Sequence, residues 1–327
     1  MVLDAPAGPP LALRSILRAV AAAVALSALG YVAYGVWAGL DEAAGALGRF
    51  AVSVYPVVLF TTLGNYGLRY VKWVYLLGRV GVRVPTGANL QLFLVGLLMT
   101  LSPGKAGEMV KPWLVREVTG APLVRTVPVL VAERATDAAA ILLLTAIGVG
   151  TYASDQAVVV AGLLVAVGGG LVVLASRTAG DALVALLSAV PGLRKVAPSV
   201  AGMLDALRSC LSPAALGATL AVSVVAWWLE CLGTWLVLRG FDLDVGLGVS
   251  TFVYAAATSL GAATPGGLGV ADAALAEGLV ATADVPRGDA LAAALLVRVA
   301  TLWFGVVLGA IALLRVDRLV GSADARR

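Results

Sequence analysis

Long apolar runs alternate with short polar breaks along almost the whole chain. The runs 16–40, 51–76, 126–150, 157–175, 214–238 and 290–314 are near or above the ~20 residues that a helix needs to cross a bilayer. Two further apolar runs are shorter and end in helix breakers. Residues 88–101 stop at Ser102-Pro103-Gly104, and residues 247–263 stop at Thr264-Pro265-Gly266-Gly267. Each is followed by another modest helical stretch, 105–117 and 268–283. The pattern predicts two re-entrant helical hairpins, each entering and leaving on one face. Non-helical backbone at membrane depth is tolerated only where protein or a wet cavity surrounds it.

Composition turns this pattern into a class. The 327 residues are 61% hydrophobic and 13% charged, with mean hydropathy +0.98, where soluble domains carry roughly 25% charged residues. The chain reads as an all-α integral membrane protein, one polytopic domain over 1–327. Its net charge of +4 calls for no nucleic-acid partner, because the positive-inside bias supplies such an excess. With the N-terminus inside, six helices crossing and the hairpins not crossing, Arg49, Arg239 and Arg287 lie outside. Arg134 and Arg298 fall within spans, which leaves 18 of the 23 basic residues on the inner side. Both termini are therefore expected in the cytoplasm of a cell (plasma) membrane protein. Arg14 and Arg18 before the first run imitate a signal peptide, but the run is too long for a typical h-region, so 16–40 is read as an uncleaved first spanning helix.

The chain also echoes itself. Residues 77–108 resemble 237–272, and "VAERATDAAAILLL" (131–144) resembles "LVRVATLWFGVVLG" (296–309). Pro103 and Pro265 are 162 apart, as are Gly107 and Gly269, and Arg134 and Arg298 are 164 apart. Residues 51–150 form repeat one and 214–314 repeat two, with 157–175 as the connecting helix. That single crossing between the copies makes them inverted, a recurrent transporter design. Residues 176–213 are expected to lie on the cytoplasmic surface.

The chain has no histidine and two cysteines. That removes Ser-His-Asp catalysis, histidine metal sites and a disulfide framework; no catalytic residue, metal or cofactor is assigned. The informative residues are charges that the spans cannot shed, each costing ~2.5–3.5 kcal/mol on insertion scales. They are Glu133, Arg134 and Asp137, then Glu230, Asp272, Glu277 and Arg298. One reading is mutual neutralisation, Arg134 with Asp137 and Arg298 with Glu230 or Asp272, as interhelical pins. The other is a polar cavity between the repeats; for any single pair the two are compatible. Gly104, Gly107, Gly266, Gly267 and Gly269 would let backbone approach a ligand. The helices after the breaks would aim their N-termini at it, with Lys105, Arg134 and Arg298 adding positive charge suited to phosphate. Arg69, Lys72 and Trp73, with Tyr70 and Tyr75, read as a snorkelling and aromatic-belt pattern at the inner membrane face, with the holding of anionic headgroups at the cytoplasmic leaflet as the alternative. The GxxxG pairs Gly35–Gly39 and Gly305–Gly309 read as ordinary packing, and a homodimer is left open.

"SPGKAGEMVK" (102–111), "ERATD" (133–137), "WWLE" (227–230) and "TPGGLGVADAAL" (264–275) with Arg298 resemble the lysylphosphatidylglycerol synthase transmembrane region, a flippase-like family, over roughly 50–314. Asp272 stands where the family usually has Glu, and Lys111 lies near a position that is often Arg; both departures keep the charge. The resemblance implies lipid translocation. Since the chain ends at Arg327 soon after its last predicted span, it also implies a standalone translocase without an aminoacyltransferase domain. The substrate expected is an anionic phospholipid or a polyprenyl-phosphate-linked lipid. The candidate site is Ser102, Pro103, Gly104, Lys105, Gly107, Glu108, Lys111, Glu133, Arg134, Asp137, Glu230, Pro265, Gly266, Gly267, Gly269, Asp272 and Arg298. Arg134→Ala and Arg298→Ala are expected to abolish transport with folding intact. Two other readings stand beside this one: a secondary transporter of a small ion or solute, and a membrane glycosyltransferase using Asp242-Leu243-Asp244.

Overall fold

A computed structural model describes residues 40–102, 107–152 and 157–315. Among them every regular element is helical. The elements are α1 (Leu40–Leu47), α2 (Tyr55–Arg79), α3 (Thr86–Leu98), α4 (Val110–Thr119), α5 (Leu123–Tyr152), α6 (Ala157–Ala175), α7 (Arg177–Ala189), α8 (Ala197–Cys210), α9 (Pro213–Gly240), α10 (Leu247–Leu260), α11 (Val270–Ala283), α12 (Arg287–Arg298) and α13 (Phe304–Leu313). Short 3-10 turns extend α3 to Leu101 and α10 to Ala263, and a π-helical turn, Val299–Trp303, joins α12 to α13. The expected first span, 16–40, lies outside the described residues apart from Leu40. So do Pro103, Gly104 and Lys105 of the first break.

Among the described residues, three helices are long and apolar enough to cross a membrane by length and composition: α6, α9 and the continuous α12–α13 rod. The expected spans over 51–76 and 126–150 correspond to α2 and α5. These have the length, at 25 and 30 residues, but carry charge along their course. The hydrophobicity of α6 faces outward: Val158, Val165 and Val172 are exposed. A helix apolar on all sides and open to its surroundings is suited to lipid rather than to water. This is the architecture of a membrane protein with several apolar helices.

Helix ends follow local chemistry. Pro213, at the first position of α9, gives up a backbone N–H that would have no partner there. α4 stops at Gly120, whose positive φ of 73° suits a residue without Cβ. At the second break Gly266, Gly267 and Gly269 all have positive φ (60°, 75° and 77°). That backbone path is cheap for glycine alone, which is why the sequence concentrates three there.

α2 and α9 lie side by side and set the frame of the fold. Their contact is polar along one seam. Thr62, Asn65 and Lys72 of α2 are buried, as are Thr219, Ser223, Glu230 and Thr234 of α9. The spacings of three, four and seven residues keep each set on one helix face. Asn65 Nδ2 donates to the Ala226 carbonyl at 2.8 Å, and Lys72 Nζ donates to Ser223 Oγ at 2.7 Å. Such bonds bind helices together where apolar burial gives no preference over lipid. Around this seam α3 packs on α13, α10 on α5, α8 on α5 and α1 on α12. Within the segment 176–213, α8 buries Ala197, Leu207 and Cys210.

Candidate functional site

Four cations and three carboxylates meet where α2, α4 and α5 converge. Lys72 Nζ lies 2.5 Å from Asp137 Oδ1 and also donates to Thr136 Oγ1 and the Glu133 carbonyl. Ser223 Oγ reaches the same Asp137 oxygen at 3.0 Å. Lys111 Nζ pairs with Glu133 Oε2 at 2.6 Å and sits 4.0 Å from the Trp73 ring centroid. Arg134 spans three carboxylates: Glu133 at 2.7 Å, Asp137 at 3.3 Å and Glu108 at 3.4 Å. Arg69 completes the group, its Nε 3.9 Å from Asp137 Oδ2 and its guanidinium over Trp227. A buried ion pair is worthwhile only when further hydrogen bonds satisfy both partners. Here each carboxylate of Glu133 and Asp137 has at least two cations. Counted among the described residues as ion pairs within 4 Å, the network carries one positive charge in excess.

The second break builds a smaller unit. Asp272 occupies the first turn of α11; its Oδ2 accepts the Gly269 N–H at 2.9 Å and its Oδ1 accepts Arg298 Nε at 2.6 Å. Arg298 NH1 also donates to the Gly266 carbonyl at 3.0 Å. One carboxylate therefore caps its helix and fixes the arginine, while the arginine holds the glycine turn. The N-terminus of α11, expected to point freely at a ligand, is capped by Asp272. The π turn follows Arg298 immediately and frees the Thr301 carbonyl, which accepts Tyr66 Oη at 2.8 Å.

Between these units lies a cavity of about 360 Å³. Its walls include Arg69, Arg134 and Asp137 on one side and Gly266, Gly267, Asp272 and Arg298 on the other, with Tyr66, Trp227, Glu230 and Tyr254 between. Arg134 is 29% exposed, so the space is not sealed. Four buried polar atoms on this wall make no hydrogen bond among the described residues: Arg69 Nε, Arg134 Nε, Trp227 Nε1 and Asp137 Oδ2. Buried polar groups are normally satisfied, and three of these four are donors.

The structure brings most of the sequence-derived site together, but not all of it on the cavity. Arg134, Asp137, Glu230, Gly266, Gly267, Asp272 and Arg298 line it. Glu108, Lys111 and Glu133 lie behind, around a much smaller recess. Ser102 and Gly107 hold the two sides of the first break together, Gly107 N–H donating to Ser102 Oγ at 2.7 Å. Gly269 serves the cap, and nothing is assigned to the Pro265 side chain. Of the two pairings considered for Arg298, Asp272 forms and Glu230 does not. One expectation is corrected outright. Lys72 and Trp73 are not a snorkelling pair at the membrane face; both are fully buried, Lys72 within the network and Trp73 beneath Lys111. Arg69 belongs to the network too. The signal was present as the stripe Thr62, Asn65, Arg69, Lys72 at spacings of three and four, one face of a helix.

A family model described as "Lysylphosphatidylglycerol synthase TM region" matches residues 19–309. A curated relative, the UPF0104 membrane protein of Methanothermobacter thermautotrophicus, is 29% identical over 119 residues, which is 36% of this chain and 35% of that protein. The match spans about a third of the relative's length.

Proposed function

The chain belongs to the lysylphosphatidylglycerol synthase TM region family, and we propose that it is a membrane lipid translocase. The cavity would hold the anionic headgroup of a phospholipid or polyprenyl-phosphate-linked lipid as it passes between leaflets. The observation that carries this reading is the set of unsatisfied donors on Arg69, Arg134 and Trp227, which share one space with Arg298. Guanidinium groups favour phosphate by charge and by their planar donor fork, and the excess positive charge of the network adds to this. Residues 51–150 and 214–314 act as inverted repeats. In support, both contain a long helix, a short helix ending in a 3-10 turn, a second short helix and a long helix or rod. The two broken pairs, α3–α4 and α10–α11, are re-entrant hairpins that exchange access between leaflets of the plasma membrane, with both termini cytoplasmic.

The test is movement of fluorescent phosphatidylglycerol across proteoliposomes containing the purified chain. Arg298→Ala is expected to slow it more than about tenfold, the loss of one charge-assisted contact to the headgroup. Arg134→Ala is now expected to disturb folding as well, because Arg134 contacts three carboxylates. Arg134→Lys, which keeps the charge and loses the fork, is the sharper variant. Wild-type rates in both Arg298→Ala and Arg134→Lys would remove this site assignment. A second reading, transport of a small anionic solute, draws on the cavity volume of about 360 Å³, ample for an inorganic anion. Transport of such an anion with no lipid movement would favour it.

A further inference from the structure

Six carboxylates are buried among the described residues: Glu108, Glu133, Asp137, Glu230, Asp272 and Asp289. Five have a cation within 3.4 Å, Asp289 through Arg49. Glu230 has none within 4 Å. Its hydrogen bond among the described residues comes from Thr62 Oγ1 at 3.4 Å, although its side chain is 3% exposed and lines the cavity. We propose that Glu230 is the proton-binding site of the cavity, taking up a proton as a phosphate-type anion seats, so that headgroup binding is coupled to protons. This rests on the headgroup reading above.

The first argument is geometric. Protonating any of the other five carboxylates breaks an ion pair; protonating Glu230 breaks none. The second is charge balance. Among the described residues, the network beside the cavity carries one positive charge in excess, Asp272 and Arg298 offset each other, and ionised Glu230 cancels the excess. A phosphodiester monoanion entering that neutral site leaves one negative charge uncompensated in a poorly screened space, which is costly. A proton on Glu230 restores neutrality: carboxylate plus H⁺ gives the acid, with no other bond changed.

The charged and titratable groups around Glu230 do not replace it. Arg69 and Tyr66 come from α2, Tyr254 from α10, Arg134 and Asp137 from α5 and Arg298 from α12; Cys231 follows on its own helix. Asp137 is held by Lys72 and Arg134, and Tyr66 Oη donates to a carbonyl.

The experiment uses the purified full chain in weakly buffered detergent with a pH-indicator dye, titrated with dihexanoyl phosphatidylglycerol and, separately, with inorganic phosphate. Wild type is expected to take up about one proton per ligand bound, and by linkage its affinity rises as pH falls, by up to about tenfold per unit. Glu230→Gln is expected to take up none. Uptake with the lipid but not with free phosphate identifies the headgroup as the ligand; uptake with phosphate alone keeps the coupling and moves the ligand to a free anion. Binding by wild type without proton uptake overturns the coupling and leaves the headgroup reading standing. Undiminished uptake by Glu230→Gln overturns the assignment to this residue. Failure of wild type to bind either ligand overturns both readings. If Glu230→Gln does not fold, the wild-type arms with Glu230→Asp, expected to retain uptake, decide the matter.

Discussion

The two sides of the cavity hold charge in different ways. On the α5 side, Glu133 and Asp137 each contact two or more cations, and Arg134 alone contacts three carboxylates. On the α11–α12 side one pair, Asp272–Arg298, is hung on a turn of three positive-φ glycines. Interlocked contacts make the first side a buried platform, in which removing one charge leaves its partners without a counter-charge. The second side depends on few contacts, and its hydrogen bonds run through backbone that glycine leaves free to take other conformations. Glu230 lies between the two and is ion-paired to neither. On the proposed reading, the first side would read the charge of a ligand and the second would adjust as it leaves.

The comparison is broken most severely on the platform. Glu133→Ala leaves Lys111 buried without its carboxylate and is expected to destabilise the protein by about 3–5 kcal/mol. A lowered unfolding midpoint by tryptophan fluorescence in detergent is the readout. Lys111→Met combined with Glu133→Leu should recover much of that loss, since it removes both charges together. A double variant no better than Glu133→Ala would mean that the pair matters for more than neutralisation. Asp272→Asn is expected to cost less, about 1–3 kcal/mol, because an amide oxygen still accepts the Gly269 N–H while the bond to Arg298 weakens. An unfolding midpoint shifted as far as that of Glu133→Ala would show that the two sides do not differ in how far their charges depend on one another.

Smaller still is Gly266→Ala. A side chain at φ 60° costs about 1–2 kcal/mol, and the same thermal measurement checks it. If alanine is tolerated without loss there, the turn is not held as described. At the bottom of the scale is Asp244→Asn. The Asp244 side chain is 98% exposed and, among the described residues, paired with Arg239, so stability and lipid movement should both be unchanged. A large loss of function from this substitution would instead favour an enzymatic role for the Asp242-Leu243-Asp244 triplet.

Much of this was legible in the chain. The helix-break-helix segments fall within a few residues of their expected bounds, because proline and glycine clusters interrupt apolar runs whatever the tertiary context. Glu133, Arg134 and Asp137, and the pairing of Arg298 with Asp272, were open to inference because charge within an apolar run is costly enough to demand a partner. Lys72 was misread for a clear reason. A lysine near the end of a spanning run has two equally ordinary fates, snorkelling outward or pairing inward, and composition does not separate them. The polar stripe Thr62, Asn65, Arg69, Lys72 was the better guide, since its period assigns one face of α2 to a partner.

The sequence by itself determined the solvent this protein is built for, the helical class and the places where helices break. Those follow from hydropathy and from backbone sterics, which act locally. Only the tertiary structure decided which charges neutralise one another, which line the cavity, and that Glu230 is the buried carboxylate without a cation at contact distance among the described residues. Coulomb energy falls with distance and rises steeply as the surroundings dry, so pairing is settled by a few ångströms of packing between helices, whether the partners are 22 residues apart, as Lys111 and Glu133 are, or 65, as Lys72 and Asp137 are. No local pattern encodes that distance.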